Sequence, residues 1–177
     1  MISQVVLSPI GPLKLTVEDG FVTGLEFYRD TLNTNTSQQP QASKLVPIHT
    51  KSRGRRSEND LRTLEQAIGE LNAYFSGRLR YFSVPVRASG TRFQQAVWQA
   101  MAKISYGQTK TYRDLAKAVG SPNGARAVGN ACGANPVAII IPCHRVVAQN
   151  ALGGFGGGLY TKRWLLELEK HNTRESI

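Results

Sequence analysis

The residues best suited to chemistry stand together at Pro142-Cys143-His144-Arg145-Val146. A cysteine attacks as its thiolate, and cationic surroundings favour that form. His144 and Arg145 place an imidazole and a guanidinium beside the thiol in sequence. Neighbouring side chains on an extended chain point apart, however, so adjacency is not contact. The spacing is compatible with a nucleophile and equally with a buried apolar thiol. The other cysteine, Cys132, belongs to no C-x-x-C pair, and two thiols make no secreted disulfide framework. His49, His144 and His171 are scattered, so no zinc or other metal site is expected.

The elements that must position Cys143 follow from the local pattern. Val137–Ile141 is wholly apolar between Pro136 and Pro142, and predicts a strand delivering Cys143 at its end. Upstream, Thr91-Arg92-Phe93-Gln94 is a capping-box pattern, followed by an apolar stripe at Phe93, Val97, Ala100, Met101 and Ile104. After a turn at Tyr106-Gly107-Gln108, Thr111 caps a short helix, Tyr112–Val119. A glycine-containing turn, Gly120–Gly124, leads into a second short helix ending near Cys132. Helix, turn and helix in about 20 residues is a helix-turn-helix pattern.

The second of these helices is made almost entirely of small residues, Gly124, Ala125, Ala127, Val128, Gly129 and Ala131, with one long cation, Arg126. A major-groove reader carries several long polar side chains. Small residues instead allow close backbone approach, which suits the narrow minor groove. The same composition also describes a packed core helix with Arg126 at its edge. On the last helix, Leu159–Lys170, Glu169 has Leu165 and Leu166 at i−4 and i−3. Glu167 has Arg163 and Lys170, a solvent-face pattern. Glu169 is therefore the carboxylate expected to face inward; taken alone, it reads as a half-buried helix-end glutamate.

The first half is of another kind. Val5–Val17 holds two β-rich runs about a Pro/Gly turn, and Phe21–Phe27 follows Asp19-Gly20, a hairpin signature. This predicts a small antiparallel meander. Residues 30–59 are polar, then basic at Lys51–Arg56, and read as a long mobile loop suited to a phosphate contact or nuclear targeting. From Asp60, apolar residues recur at Leu61, Leu64, Ile68, Leu71 and Phe75. They predict a helix over the meander, stopped by Gly77.

The charge is uneven. Of 22 Lys+Arg and 12 Asp+Glu among 177 residues, residues 1–85 hold 10 basic and 8 acidic, whereas residues 86–177 hold 12 basic and 4 acidic. A net +8 against +2 points to a polyanionic partner for the second half, or to a solvated basic surface. An apolar fraction of 41% excludes wholesale disorder. No apolar run has the ~18–20 residues of a membrane helix, and the opening residues lack a signal-peptide pattern. A cytoplasmic protein, or a nuclear one in a eukaryote, is expected, with no membrane association.

At this point the chain resembles the O6-alkylguanine-DNA alkyltransferases. The resemblance is carried by Pro142-Cys143-His144-Arg145-Val146, Ala125-Arg126-Ala127-Val128-Gly129, Asn135-Pro136, Phe93-Gln94 with Val97-Trp98, Tyr112, Gly156-Gly157-Gly158-Leu159 and Lys162–Glu169. It spans residues 90–170, with Ser8–Leu13 and Leu71–Gly77 also similar to the family's first half. It implies an α+β protein. A small antiparallel sheet with a helix (ribonuclease-H-like) occupies 1–85, and a mainly helical winged-helix domain with the helix-turn-helix occupies 86–177.

The resemblance further implies a monomeric repair protein acting on double-stranded DNA through the minor groove, with clustering on DNA left open. It would move the alkyl group of O6-alkylguanine, and of O4-alkylthymine, irreversibly to its own cysteine, without a cofactor. Cys143 would be the acceptor. His144 would take its proton through a water, Glu169 would orient the histidine, and Asn135 would brace the site. Tyr112 would sit against the flipped base and its phosphate. Arg126 would enter the base stack, with Ala125, Ala127 and Gly129 along the DNA. Val146, Phe155, Gly156 and Gly157 would line the guanine pocket. Phe155 stands where the family commonly has tyrosine, and Gly156 where some members carry serine. Three other readings compete. A non-catalytic lesion binder would lack Cys143. A helix-turn-helix regulator would need more base-reading side chains. A cysteine hydrolase leaves the basic half unexplained.

Overall fold

A computed structural model describes residues 1–28, 46–52 and 57–174, and the chain divides into two compact units, Met1–Arg87 and Ala88–Ile177. In the first, β1 (Ile2–Ser8), β2 (Gly11–Glu18), β3 (Phe21–Phe27) and β4 (Val46–Ser52) form an antiparallel sheet in the order β3-β2-β1-β4. Asp19 and Gly20 both take positive φ, 52° and 78°, the geometry whose twist matches a hairpin. Along β2, Leu13, Leu15 and Val17 are buried while Lys14 and Thr16 are only partly so, the alternation a one-sided sheet requires.

Helix α1 (Glu58–Phe75) packs on β2 and β3 and buries Leu64, Ala67, Leu71 and Tyr74. Its inward face is rotated from the predicted one: Leu61, Ile68 and Phe75 are only half-buried, because Asp60 and Thr63 turn inward to the hairpin. Asp60 Oδ1 accepts from Gly20 N at 2.8 Å, and Thr63 Oγ1 donates to Gly20 O at 2.9 Å. The helix stops at Gly77 (φ 74°), where Gly77 N donates to Tyr74 O and Arg78 N to Ala73 O, a Schellman end that glycine adopts without strain.

The loop expected over 30–59 is corrected at Val46–Ser52. This segment is edge strand β4, paired with β1 through a bulge at Val5/Val6. Its Pro47 is tolerated because an edge strand needs to donate on one side only. The polar stretch 33–41 and residues 53–56 of the basic run lie outside the described residues.

The second unit begins with α2 (Arg92–Ala102), whose capping box between Thr91 and Gln94 forms as predicted. A two-residue strand β5 (Lys110–Thr111) precedes α3 (Tyr112–Ala118), closed by a second capping box between Thr111 and Asp114. Helix α4 (Ala125–Gly133) completes the helix-turn-helix and packs on α2 and α3. Val97, Trp98, Met101, Leu115, Val128 and Ala131 form the core between them, and Trp98 Nε1 donates to Ala131 O at 2.8 Å. Strand β6 (Val146–Val147) pairs parallel with β5, and α5 (Leu159–Arg174) closes the unit.

Candidate active site

Val137–Ile141, expected as a strand, is a buried double turn. Ile140 N donates to Ala138 O at 2.8 Å across Ile139, whose φ is 71°, and Ile141 N donates to Val137 O at 3.0 Å. A β-branched residue at positive φ is strained. Asn135 holds the turn at both ends: its Nδ2 donates to Ile141 O at 2.8 Å and its Oδ1 accepts from Val137 N at 3.1 Å. Two prolines and this clamp, rather than a sheet partner, explain why the apolar run does not extend. Cys143 N then donates to Ile141 O, and Cys143–Arg145 forms one 3₁₀ turn.

That turn directs three successive side chains to different tasks. His144 is fully buried, its Nε2 2.7 Å from Glu169 Oε1. Glu169 is fully buried on α5 and Glu167 is exposed, as their helical neighbours predict. Arg145 grips the same carboxylate, with Nε 2.9 Å from Oε2 and Nη2 3.0 Å from Oε1. Its Nη1 donates to Ile104 O at 2.7 Å. Gly107 N donates to Oε2 at 2.9 Å. The guanidinium beside Cys143 in sequence is thus spent on Glu169 and not on the thiol.

The protonation states follow from these contacts. Burial pushes Glu169 up, but hydrogen bonds and charge from His144 and Arg145 outweigh it and hold the carboxyl at about 2. Burial pulls His144 below its ordinary value despite Glu169. A neutral imidazole facing an ionised carboxylate carries its proton on Nε2, which leaves Nδ1 as the ring's acceptor. Burial raises the Cys143 thiol, opposed by a hydrogen bond with Asn135 and by the charge of Lys162. The resting pair is a neutral thiol beside a neutral imidazole. Cys132 is a different thiol: burial lifts it to about 12, and its Sγ lies 3.4 Å from Met101 Sδ in the core.

Tyr112, the first residue of α3, lies over the loop that follows β6. Its hydroxyl is 3.4 Å from Gly154 O. A Cβ on Gly153 (φ 71°) would come within 2.8 Å of the ring, so only glycine fits there. Burial, and the charges of Cys132 and Cys143, raise the Tyr112 phenol, which keeps it a donor. On α4, Arg126, Ala127 and Asn130 are exposed, Ala125 and Gly129 half-buried, and Val128, Ala131 and Cys132 buried. Val146 is fully buried, Phe155 and Gly157 half-buried and Gly156 exposed. Asn135 thus clamps the turn that leads into Cys143, and a separate hydrogen bond joins His144 to Glu169, while Arg126 and Ala127 stand on the outward stripe of α4.

Sequence reasoning missed two residues of this site, Arg145 as a partner of Glu169 and Lys162. Lys162 is fully buried, with Nζ donating to Val146 O, Leu152 O and Gly154 O at 2.6, 2.5 and 3.1 Å. The signal was present, since Lys162 precedes Glu169 by two helical turns and shares its inward face. No group of three or more metal-ligating side chains exists among the described residues, and no helix among them is long and apolar enough to cross a membrane.

A helix-turn-helix unit with a Cys–His–Glu array behind it defines a class: a DNA-directed protein whose chemistry runs through a thiol. Comparison with known proteins narrows the class. Residues 92–171 match the family described as 6-O-methylguanine DNA methyltransferase, DNA binding domain. The chain is 42% identical to the methylated-DNA–protein-cysteine methyltransferase of Mycobacterium leprae over 171 residues, 96% of this chain and 93% of that one. It is 38% identical to the Haemophilus influenzae protein of the same name, over 92% of this chain and 83% of that one. Among solved structures, the Mycobacterium tuberculosis OGT in complex with DNA matches with a TM-score of 0.74 at 40% identity, covering 95% of this chain and 92% of that one. The chain belongs to the methylated-DNA–protein-cysteine methyltransferase family, proteins that reverse DNA alkylation directly by taking the alkyl group onto a cysteine of their own.

Proposed function

We propose that this chain repairs O6-alkylguanine, and O4-alkylthymine, in double-stranded DNA by moving the alkyl group to Sγ of Cys143, once per molecule. The hydrogen-bonded sequence from Glu169 to His144 beside Cys143 carries this reading. His144 Nδ1 takes the thiol proton through a water, and Glu169 stabilises the imidazolium. The thiolate attacks the alkyl carbon. An S–C bond forms, the C–O6 bond breaks, and its electron pair leaves on the guanine, which the Tyr112 hydroxyl stabilises by donation. The product is a thioether with no acid–base route back to a thiol, so the reaction is stoichiometric.

The target atom is hidden in a duplex, so the base is extruded at a cost of a few kcal/mol. Arg126, the long cation on the exposed stripe of α4, fills the vacated stack and offsets part of that. The small residues around it, Ala125, Ala127 and Gly129, suit a close approach to the minor groove, where little sequence is read. Val146, Phe155, Gly156 and Gly157 shape the guanine pocket. The protein works as a monomer in the compartment that holds the DNA, the cytoplasm or, in a eukaryote, the nucleus. The test is transfer of a radiolabelled methyl group from duplex O6-methylguanine. One methyl per chain is expected, and none for Cys143→Ser, which still binds the duplex. Turnover beyond one methyl, or comparable transfer by Cys143→Ser, would overturn the reading.

A further inference from the structure

Lys162 places an ammonium in the interior of the second unit. Its three acceptors are all neutral carbonyls, and among the described residues no ion pair joins it to a carboxylate. Burying a charge without an opposite charge is costly, and an apolar side chain of similar length would fill the volume at less cost. The position of the three carbonyls shows what the charge accomplishes. Val146 follows the 3₁₀ turn of Cys143 directly, and Leu152 and Gly154 lie in the stretch leading to Phe155, so one ammonium closes the loop from both ends.

The same group stands close to the chemistry. Its Nζ is 6.0 Å from the centroid of the Tyr112 ring. The titratable groups around the Cys143 thiol are Lys162 from α5, Cys132 from α4, Tyr112 from α3 and His144 in the turn, with Arg145 committed to Glu169. Cys132 and Tyr112 are both pushed upward and stay neutral, and His144 is neutral as well. Lys162 is the cation of this set, and its charge favours the Cys143 thiolate. In return, burial draws the ammonium down while the charge of Cys143 sustains it.

We propose, resting on the transfer reaction above, that Lys162 is a positioning residue: its ammonium pins the loop from Val146 to Gly154 into the shape of the base pocket and supplies the counter-charge under which Cys143 ionises. The loop and the nucleophile are thereby prepared by one side chain.

Two readouts separate this role from simple packing. Alkylation of Cys143 by iodoacetamide, followed against pH by peptide mass spectrometry, reports thiol ionisation without DNA. Single-turnover transfer from free O6-benzylguanine reports the pocket. In Lys162→Met and Lys162→Gln the ionisation midpoint of Cys143 should rise by about one unit, since removing a nearby opposite charge shifts a group by that order. Transfer near neutrality should slow by about tenfold or more, in step with the lost thiolate. Lys162→Arg should restore the midpoint. An unchanged midpoint in a folded Lys162→Met protein, with only its thermal stability lowered, would overturn the proposal.

Where the neutral variants do not fold, the wild-type protein answers the question. The Lys162 ammonium is titrated by NMR before and after Cys143 is capped with methyl methanethiosulfonate. Its midpoint should fall on capping, because a neutral sulfur no longer sustains the charge; no change would overturn the proposal. Neither titration uses alkylated DNA. A wild-type protein that failed to transfer would therefore strike the repair reading and leave the link between Lys162 and the thiol measurable.

Discussion

Each unit buries a carboxylate against a glycine, and the two carboxylates do different work. In the first unit Asp60 accepts the amide of Gly20, while Thr63 returns a hydroxyl to the carbonyl of the same residue. The acid completes the hydrogen bonding of a hairpin turn and fixes α1 to it. In the second unit Glu169 takes the amide of Gly107 but also gathers His144 and Arg145, both buried. There the polar side chains satisfy one another, beside a strained turn at Ile139. Buried polar groups that complete backbone bonding stabilise a fold. Buried groups that form a charged network beside backbone strain mark the place where local rules are broken for chemistry.

The largest expected effect breaks this comparison directly. Glu169→Ala leaves a buried guanidinium without its partner, a change that costs about 3–5 kcal/mol, and it removes the support of the histidine, so transfer is lost. Asp60→Ala leaves one amide unsatisfied and removes the partner of the N-terminal ammonium, 3.7 Å from Oδ2; it costs about 1–3 kcal/mol, and should leave the transfer rate per folded molecule unchanged. Urea unfolding and single-turnover transfer measured on both variants check this. Equal losses of transfer would show that the two carboxylates are not distinct in kind.

Arg126→Ala should come next. Its duplex reaction should weaken by an amount within the few kcal/mol that base extrusion costs, while reaction with free O6-benzylguanine, which needs no extrusion, should not change. Parallel losses on the two substrates would move Arg126 from the DNA face to the structure of the pocket.

Much of this contrast was legible in the sequence, and its limits are physical. Asp19-Gly20, Gly77, Thr91-Gln94 and Glu169 were readable because each acts through neighbours three or four residues away, or through a backbone angle of its own. Strand β4 was not, because its short alternation at Val46, Ile48 and Thr50 is interrupted by Pro47 and runs into a basic stretch, and its identity comes from pairing with β1 far off in sequence. The Val137–Ile141 turn was missed because apolar periodicity cannot reveal a clamp; Asn135 decides the conformation through two hydrogen bonds. Arg145 and Lys162 were overlooked because their residue types default to solvent; the spacing of Lys162 from Glu169 hints at its inward face, but only the assembled unit shows what each charge meets. The phase of α1 was set by Asp60 and Thr63, polar residues that an apolar count leaves out.

The smallest expected effect is on acid stability, and it sharpens the comparison. Glu169 has a folded value of about 2, below the ordinary 4.5, and His144 lies below 6.5. Both groups bind fewer protons folded than unfolded. Their stabilisation is therefore complete above about pH 6.5, where the unfolded imidazole is neutral, and is lost progressively as the pH falls toward 2. The loss should reach about 1–3 kcal/mol near pH 3. Both tryptophans, Trp98 and Trp164, lie in the second unit, so their fluorescence follows that unit alone. Urea midpoints at pH 7 and pH 4 should fall on acidification; a midpoint that held steady or rose would contradict these protonation states.

The two cysteines give the most direct test of the account. Cys132 is a core thiol on α4 with its Sγ 3.4 Å from Met101 Sδ, whereas Cys143 stands in the turn beside His144. After incubation with duplex O6-methylguanine, the protein is digested and its peptides sequenced by tandem mass spectrometry. A gain of about 14 Da, a methyl group in place of the thiol hydrogen, is expected at Cys143 and none at Cys132. A methyl group on Cys132, on any other residue, or on no residue while the DNA is nonetheless repaired would contradict it.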